Sequence, residues 1–111
     1  MNAVALHGEL TEVEPLRHTP AGIPLLRFKL QHRSQQNEAG FKRQVECEMG
    51  AVAMGEVAVR LARLKAGQTV TVSGFLNRRN RMSRQVILHA TEAETTKDDS
   101  HGDGETGQVR R

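Results

Sequence analysis

The chain has 111 residues, 37% of them hydrophobic and only 3% aromatic, which bounds it to one small domain with a modest apolar core. Sixteen Lys and Arg against 13 Asp and Glu give a net charge of +3, a balance that suits a polyanion partner without requiring one. No apolar run nears the ~20 residues of a membrane helix, the opening MNAVALHGEL lacks a leader pattern, and the lone Cys47 excludes an internal disulfide or a multi-cysteine zinc site. The expectation is a cytoplasmic protein with no membrane partner.

Val4, Leu6, Gly8 and Leu10 alternate with Ala5, His7 and Glu9, the period of a first strand. Glu14–Gly22 holds Pro15, Pro20 and Gly22, which is loop chemistry. Leu26, Phe28 and Leu30 alternate with Arg27, Lys29 and Gln31, a second strand with one apolar and one cationic face. The polar run SQQNEAG, residues 34–40, reads as a loop. Val45, Cys47 and Met49 alternate with Gln44, Glu46 and Glu48 in a third strand, which makes Cys47 a small buried hydrophobe.

The period then changes. Met54, Val57, Ala58, Leu61 and Leu64 share one face of a helix, with Glu56 in its first turn, Arg60, Arg63 and Lys65 towards its end, and Gly67 as its stop. Val70, Val72 and Gly74 mark a fourth strand; Val86, Leu88 and Ala90 mark a fifth, apolar in part on both faces. Between them, residues 77–84 form a polar, arginine-rich loop. From residue 95 the chain offers one aliphatic residue, Val109, and cannot offset the entropy of ordering. Three cations against four acids leave this tail at −1 and the body at +4. The domain reading is residues 1–94 folded and 95–111 a disordered tail, either an arm that tunes binding or a terminus without a role.

Five strands with one short helix between the third and fourth fit an all-β, five-stranded Greek-key barrel, the OB-fold. Gly8 and Gly74, mid-strand, suit the bends of such a barrel. A different small barrel or an α+β sandwich stays open at this point.

An OB-fold binds through the face of strands 2 and 3 and the loops joining strands 1–2 and 4–5. This chain puts cations there: Arg27, Lys29 and Arg33 on strand 2, Lys42 and Arg43 entering strand 3, and Arg78, Arg79, Arg81 and Arg84 in the 4–5 loop. No acid occurs from Arg60 to Ala90. Clustered guanidinium groups repel one another unless an extended anion lies among them, and a nucleic-acid backbone has that shape. The competing readings are a solvated basic turn and a patch for an acidic protein. Stacking platforms are scarce. Phe28 belongs to the core; Phe75 is core, dimer contact or platform, in that order; Phe41, beside Lys42 and Arg43, is the best platform candidate. The five histidines lack ligand spacing, no catalytic or phosphate-loop motif is present, and no cofactor is implied. His32 reads as a hydrogen-bonded strand-end residue.

Residues 20–44, PAGIPLLRFKLQHRSQQNEAGFKRQ, together with GFL at 74–76 and VILHA at 86–90, resemble the primosomal replication protein N (PriB) family. The resemblance covers roughly residues 4–94. It implies a homodimer of OB-folds that binds single-stranded DNA in replication restart, with the PriA helicase and DnaT as partners. It also implies DNA-facing roles for Arg33, Phe41 and Arg43, with Arg78, Arg79, Arg81 and Arg84 supplying the basic loop. Some members carry Trp on strand 3 where this chain has Glu46; a carboxylate cannot stack on a base and repels phosphate. Two other readings remain: a protein-interaction adapter with incidental DNA contact, and an RNA-binding OB module.

Overall fold

The structure, a computed structural model, describes residues 1–96. In chain order the elements are β1 (Val4–Val13), β2 (Arg17–His18), β3 (Pro24–Glu38), β4 (Phe41–Met54), α1 (Glu56–Ala62), β5 (Thr69–Arg78) and β6 (Val86–Thr95). The five long strands close on themselves in the order β1-β5-β6-β4-β3 and back to β1. With the single helix between β4 and β5, this is the OB-fold barrel that the strand pattern predicts. The two-residue β2, inside the predicted 14–22 loop, pairs with Leu25 and Pro24.

Closure depends on β1 serving two neighbours. Val4–Glu9 pair with β5, and Glu9–Val13 pair with β3. Gly8 lies near this switch, where a Cβ would come within 2.8 Å of the Gln31 carbonyl oxygen. Gly74 is tighter: a Cβ there would meet the His89 carbonyl oxygen at 1.7 Å. The register shifts between Ser73 and Gly74 where β6 bulges, so both glycines are close-approach positions.

The inward-facing residues form one core. Leu10, Leu26, Leu30, Leu61, Leu88, Val70 and Val72 are each under 2% exposed. Burying one such Leu or Val contributes ~1.5–3 kcal/mol. Phe28 joins them, as the alternation requires. The helix is shorter than its sequence pattern, because Met54 completes β4 and stays exposed while Lys65 and Gly67 lie beyond α1. Ala58 and Leu61 are buried in the core, and Val57 and Ala62 pack against it. Gly67 takes a left-handed φ of 100° in the turn that follows, and its N–H donates to the Leu10 carbonyl at 2.7 Å.

The largest departure is at residues 34–40. In place of a loop, β3 runs to Glu38 and β4 starts at Phe41, joined only by Ala39 and Gly40. Both turn residues have positive φ, 53° and 86°, the backbone of a tight type I′ hairpin. The hairpin leaves the barrel beyond Gln31, where β1 pairing ends, and continues as a two-stranded ribbon. Both faces of the ribbon are wet, so no hydrophobic period marks residues 34–40 in the sequence. Cys47 sits on it and is exposed, not buried as its alternation with Val45 and Met49 implied. Strand β6 carries through Thr95, and the Thr96 N–H donates to the Thr69 carbonyl at 3.1 Å. The tail expected from 95 to 111 lies outside the described residues from 97 onward.

Candidate nucleic-acid interface

Strand alternation sorts the predicted cations onto faces. Leu26, Phe28 and Leu30 point into the barrel, so Arg27, Lys29, Gln31 and Arg33 point out. Directly across the ladder from these stand Val52, Gly50, Glu48 and Glu46 of β4. Arg27 and Lys29 line an outer groove together with Arg79, at the start of the β5–β6 loop. Gly50, Ile87, Glu12 and Glu14 also line it. Three cations from two separate parts of the chain are thus brought together.

The other predicted cations are placed differently. Arg33 Nε donates to Glu46 Oε2 at 2.7 Å; that hydrogen bond, and the carboxylate's charge after it, raise the guanidinium's pKa above its ordinary value. Arg43 Nε lies 3.2 Å from Glu38 Oε1, and Lys29 Nζ lies 3.7 Å from Glu12 Oε2. Exposed pairs of this kind add little stability, about 0–1 kcal/mol, yet they place a carboxylate where a phosphate would approach. Phe41, Lys42 and Arg43 are consecutive on a strand and cannot share a face: Lys42 points with Arg27, while Phe41 and Arg43 point the other way. They stand at the ribbon tip, ten residues of β3 from Arg27, about 30 Å at ~3.3 Å per residue. Strand geometry thus separates Arg27 and Lys29 from the predicted cations Lys42 and Arg43.

The arginine loop runs from 79 to 85, since Arg78 closes β5 opposite Val86. Short polar side chains shape it. Asn80 Oδ1 accepts from the Met82 N–H at 2.9 Å, Ser83 Oγ accepts from the Gln85 N–H at 2.9 Å, and the Arg79 N–H donates to the Gln85 carbonyl at 2.9 Å. Arg78 Nη1 donates to the Arg81 carbonyl at 3.2 Å. Among the described residues, none of Arg78, Arg79, Arg81 and Arg84 forms an ion pair with a carboxylate. Four arginines close in sequence thus carry positive charge with no carboxylate paired to them among the described residues.

Phe75 is not core: it lies on the outer face of β5, 39% exposed. Its ring stacks on that of His89 across the β5–β6 pair, centroids 4.9 Å apart and planes 6° from parallel. The signal was present, because Phe75 is out of phase with Val70 and Val72. His32 is hydrogen-bonded as expected, through Nδ1 to the His7 carbonyl at 2.6 Å and Nε2 to Ser34 Oγ at 2.8 Å. Phe41 is 70% exposed. Among the described residues no group of His, Cys, Asp and Glu could hold a metal ion, and no helix is long and apolar enough to cross a membrane.

Comparison with known proteins agrees with this architecture. Residues 2–92 match the family described as "Another single-strand binding protein family". The chain is 41% identical over 88 residues to the replication restart protein PriB of Nitrosomonas europaea, a match covering 79% of this chain and 82% of that one. It is 41% identical over 93 residues to PriB of Bordetella pertussis, covering 84% and 87%. Among solved structures, PriB from Ralstonia solanacearum superposes with a TM-score of 0.76 at 33% identity, over 86% of this chain and 98% of that one. The single-stranded DNA binding protein from Thermus aquaticus gives a TM-score of 0.73 at 25% identity, over 90% of this chain and 52% of that one. With the closed barrel, the helix position and these identities in agreement, the chain belongs to the PriB family of replication restart proteins.

Proposed function

We propose that this protein is a non-enzymatic, cytoplasmic single-stranded-DNA-binding factor that works as a homodimer in replication restart, stabilising the PriA helicase on DNA and promoting primosome assembly with DnaT. The observation that carries the DNA-binding part is the meeting of Arg27, Lys29 and Arg79 in one groove, continuous with an arginine loop free of carboxylate partners among the described residues. A lone strand has a flexible line of phosphates and unpaired bases. Guanidinium forks hold the phosphates, and the exposed Phe75–His89 stack offers a flat surface to a base. With few aromatic platforms, affinity rests on phosphate contacts and falls steeply with salt. A strand held in this way next to the helicase keeps the helicase's own contacts from being lost by dissociation.

A second reading is favoured by a specific observation. The ion pairs at Lys29, Arg33 and Arg43 give the β3–β4 surface a checkered charge that suits a protein partner better than a phosphate track. In that reading the barrel is an adapter and DNA contact is incidental.

One titration separates the readings. The chain lacks Trp and Tyr, so the fluorescent label goes on the oligonucleotide, offered as DNA and as RNA at two salt concentrations. Salt-sensitive DNA binding that collapses when Arg78, Arg79, Arg81 and Arg84 are all changed to Ala supports the first reading. Weak binding that ignores those changes supports the adapter. A clear preference for RNA, read through the 2′-hydroxyl, points to an RNA-binding module.

A further inference from the structure

We propose that the outer groove is a base-reading pocket that accepts a nucleobase bearing an amino group, cytosine first, in preference to thymine. This rests on the single-stranded-DNA reading above and names what the groove selects. A groove that held phosphate alone would be lined by cations alone. Here Glu12 and Glu14 share the lining with Arg27, Lys29 and Arg79. Glu12 is answered by Lys29 at 3.7 Å, but Glu14 has no ion-pair partner among the described residues. A carboxylate repels a passing phosphate and attracts a donor edge. It therefore belongs beside a base, with the backbone displaced towards the arginines.

Gly50 stands directly opposite Lys29, lines the groove and has no side chain to fill it. A Cβ at Gly50 would come to 3.8 Å from Ile87 Cγ2, so ordinary apolar contact lies just beneath the surface a base would rest on. A cytosine lying there can donate its N4 amino hydrogens to the Glu14 carboxylate, while its flanking phosphates meet Arg27 and Arg79. Thymine presents the O4 carbonyl at the same place, and an oxygen lone pair facing a carboxylate is repelled.

The test uses labelled dC and dT oligonucleotides of equal length with the full chain and with Glu14→Ala and Glu14→Gln. Glu14 is exposed, and its hydrogen bond to the Arg27 carbonyl comes from the backbone N–H, so neither change disturbs folding. The unaltered protein is expected to bind dC roughly two- to tenfold more tightly than dT, the scale of one hydrogen bond to a charged acceptor at a wet site. Glu14→Ala is expected to bind dT more tightly than the unaltered protein does and to lose the dC advantage. Glu14→Gln, whose amide can donate to O4, also closes the gap. Equal affinity for dC and dT in the unaltered protein, or a preference that survives Glu14→Ala, overturns the pocket and leaves DNA binding standing. Failure to bind either oligonucleotide overturns the DNA reading itself, and the pocket with it.

Discussion

Arg33 and Glu46 face each other directly across the β3–β4 ladder, and their side chains close on one another at 2.7 Å. The guanidinium therefore meets any approaching phosphate with a carboxylate already in place. Cations that look alike in the sequence differ in availability, and the cross-strand register decides which is which. Arg79 has no such partner among the described residues; Arg33, Arg43 and Lys29 each have one.

Replacing the carboxylate should expose this difference. Glu46→Ala releases Arg33 and removes a charge that repels phosphate. Affinity for single-stranded DNA should rise roughly two- to fivefold, matching the ~0.5–1 kcal/mol scale of an exposed pair. The plot of log affinity against log salt should steepen by about 0.7, one further phosphate contact on a single strand. Anisotropy titrations at several salt concentrations read both numbers. An unchanged slope would mean that Arg33 does not lie on the DNA path even when free.

The same logic ranks the arginines against one another. Arg79→Ala should flatten the salt slope by about 0.7 in the otherwise unaltered protein. Arg33→Ala should leave it nearly unchanged there, yet flatten it once Glu46 is already Ala. This double-variant cycle isolates the pair from its surroundings. Equal losses from Arg79→Ala and Arg33→Ala in the parent background would contradict the ranking.

What the sequence made legible follows from where each strand is wrapped. Leu26, Phe28 and Leu30 alternate because one side of β3 meets the core, and all three are buried. The same strand from Ser34 to Glu38 leaves the barrel, loses its dry side and reads as a loop, although backbone pairing with β4 continues to Glu38 and Phe41. Cys47 was misplaced by the converse effect: the alternation with Val45 and Met49 persists after the core that gives it meaning has ended. The arginine loop was legible as composition. Its meeting with Arg27 and Lys29 was not, because that depends on β3, β4 and β6 being neighbours, the last two in parallel. The ion pairs were hidden for the same reason, since Arg33 and Glu46 are thirteen residues apart in sequence and adjacent only in register.

Stability offers an independent check on the barrel. Gly74→Ala places a methyl group 1.7 Å from a backbone oxygen that no side-chain rotation can move. The β5–β6 bulge must open, at an expected cost of about 1–3 kcal/mol or somewhat more, the scale of forcing an extra group into a packed site. Gly8→Ala, with its nearest atom at 2.8 Å, should cost less. Urea unfolding at fixed protein concentration gives the order, and near-neutral values for both would be incompatible with this closure of the barrel.

The ribbon predicts a local effect of opposite sign. Ala39 holds a φ of 53°, in the left-handed region where a Cβ costs ~1–2 kcal/mol, whereas its neighbour Gly40 tolerates φ 86° freely. Ala39→Asn makes the turn Asn-Gly, the pair that best accepts type I′ geometry. The gain, about 0.5–1 kcal/mol, should fall on the ribbon, because residues beyond Gln31 and Glu48 open without disturbing the core. Hydrogen exchange should therefore slow for the amides between Ser34 and Cys47 while those of β5 and β6 stay unchanged. If Phe41 and Lys42 at the tip contact DNA, the same substitution should tighten binding modestly without altering the salt slope, because it orders the ribbon before the ligand arrives and adds no charge. A steeper slope would instead require a new phosphate contact, which asparagine at this turn does not supply.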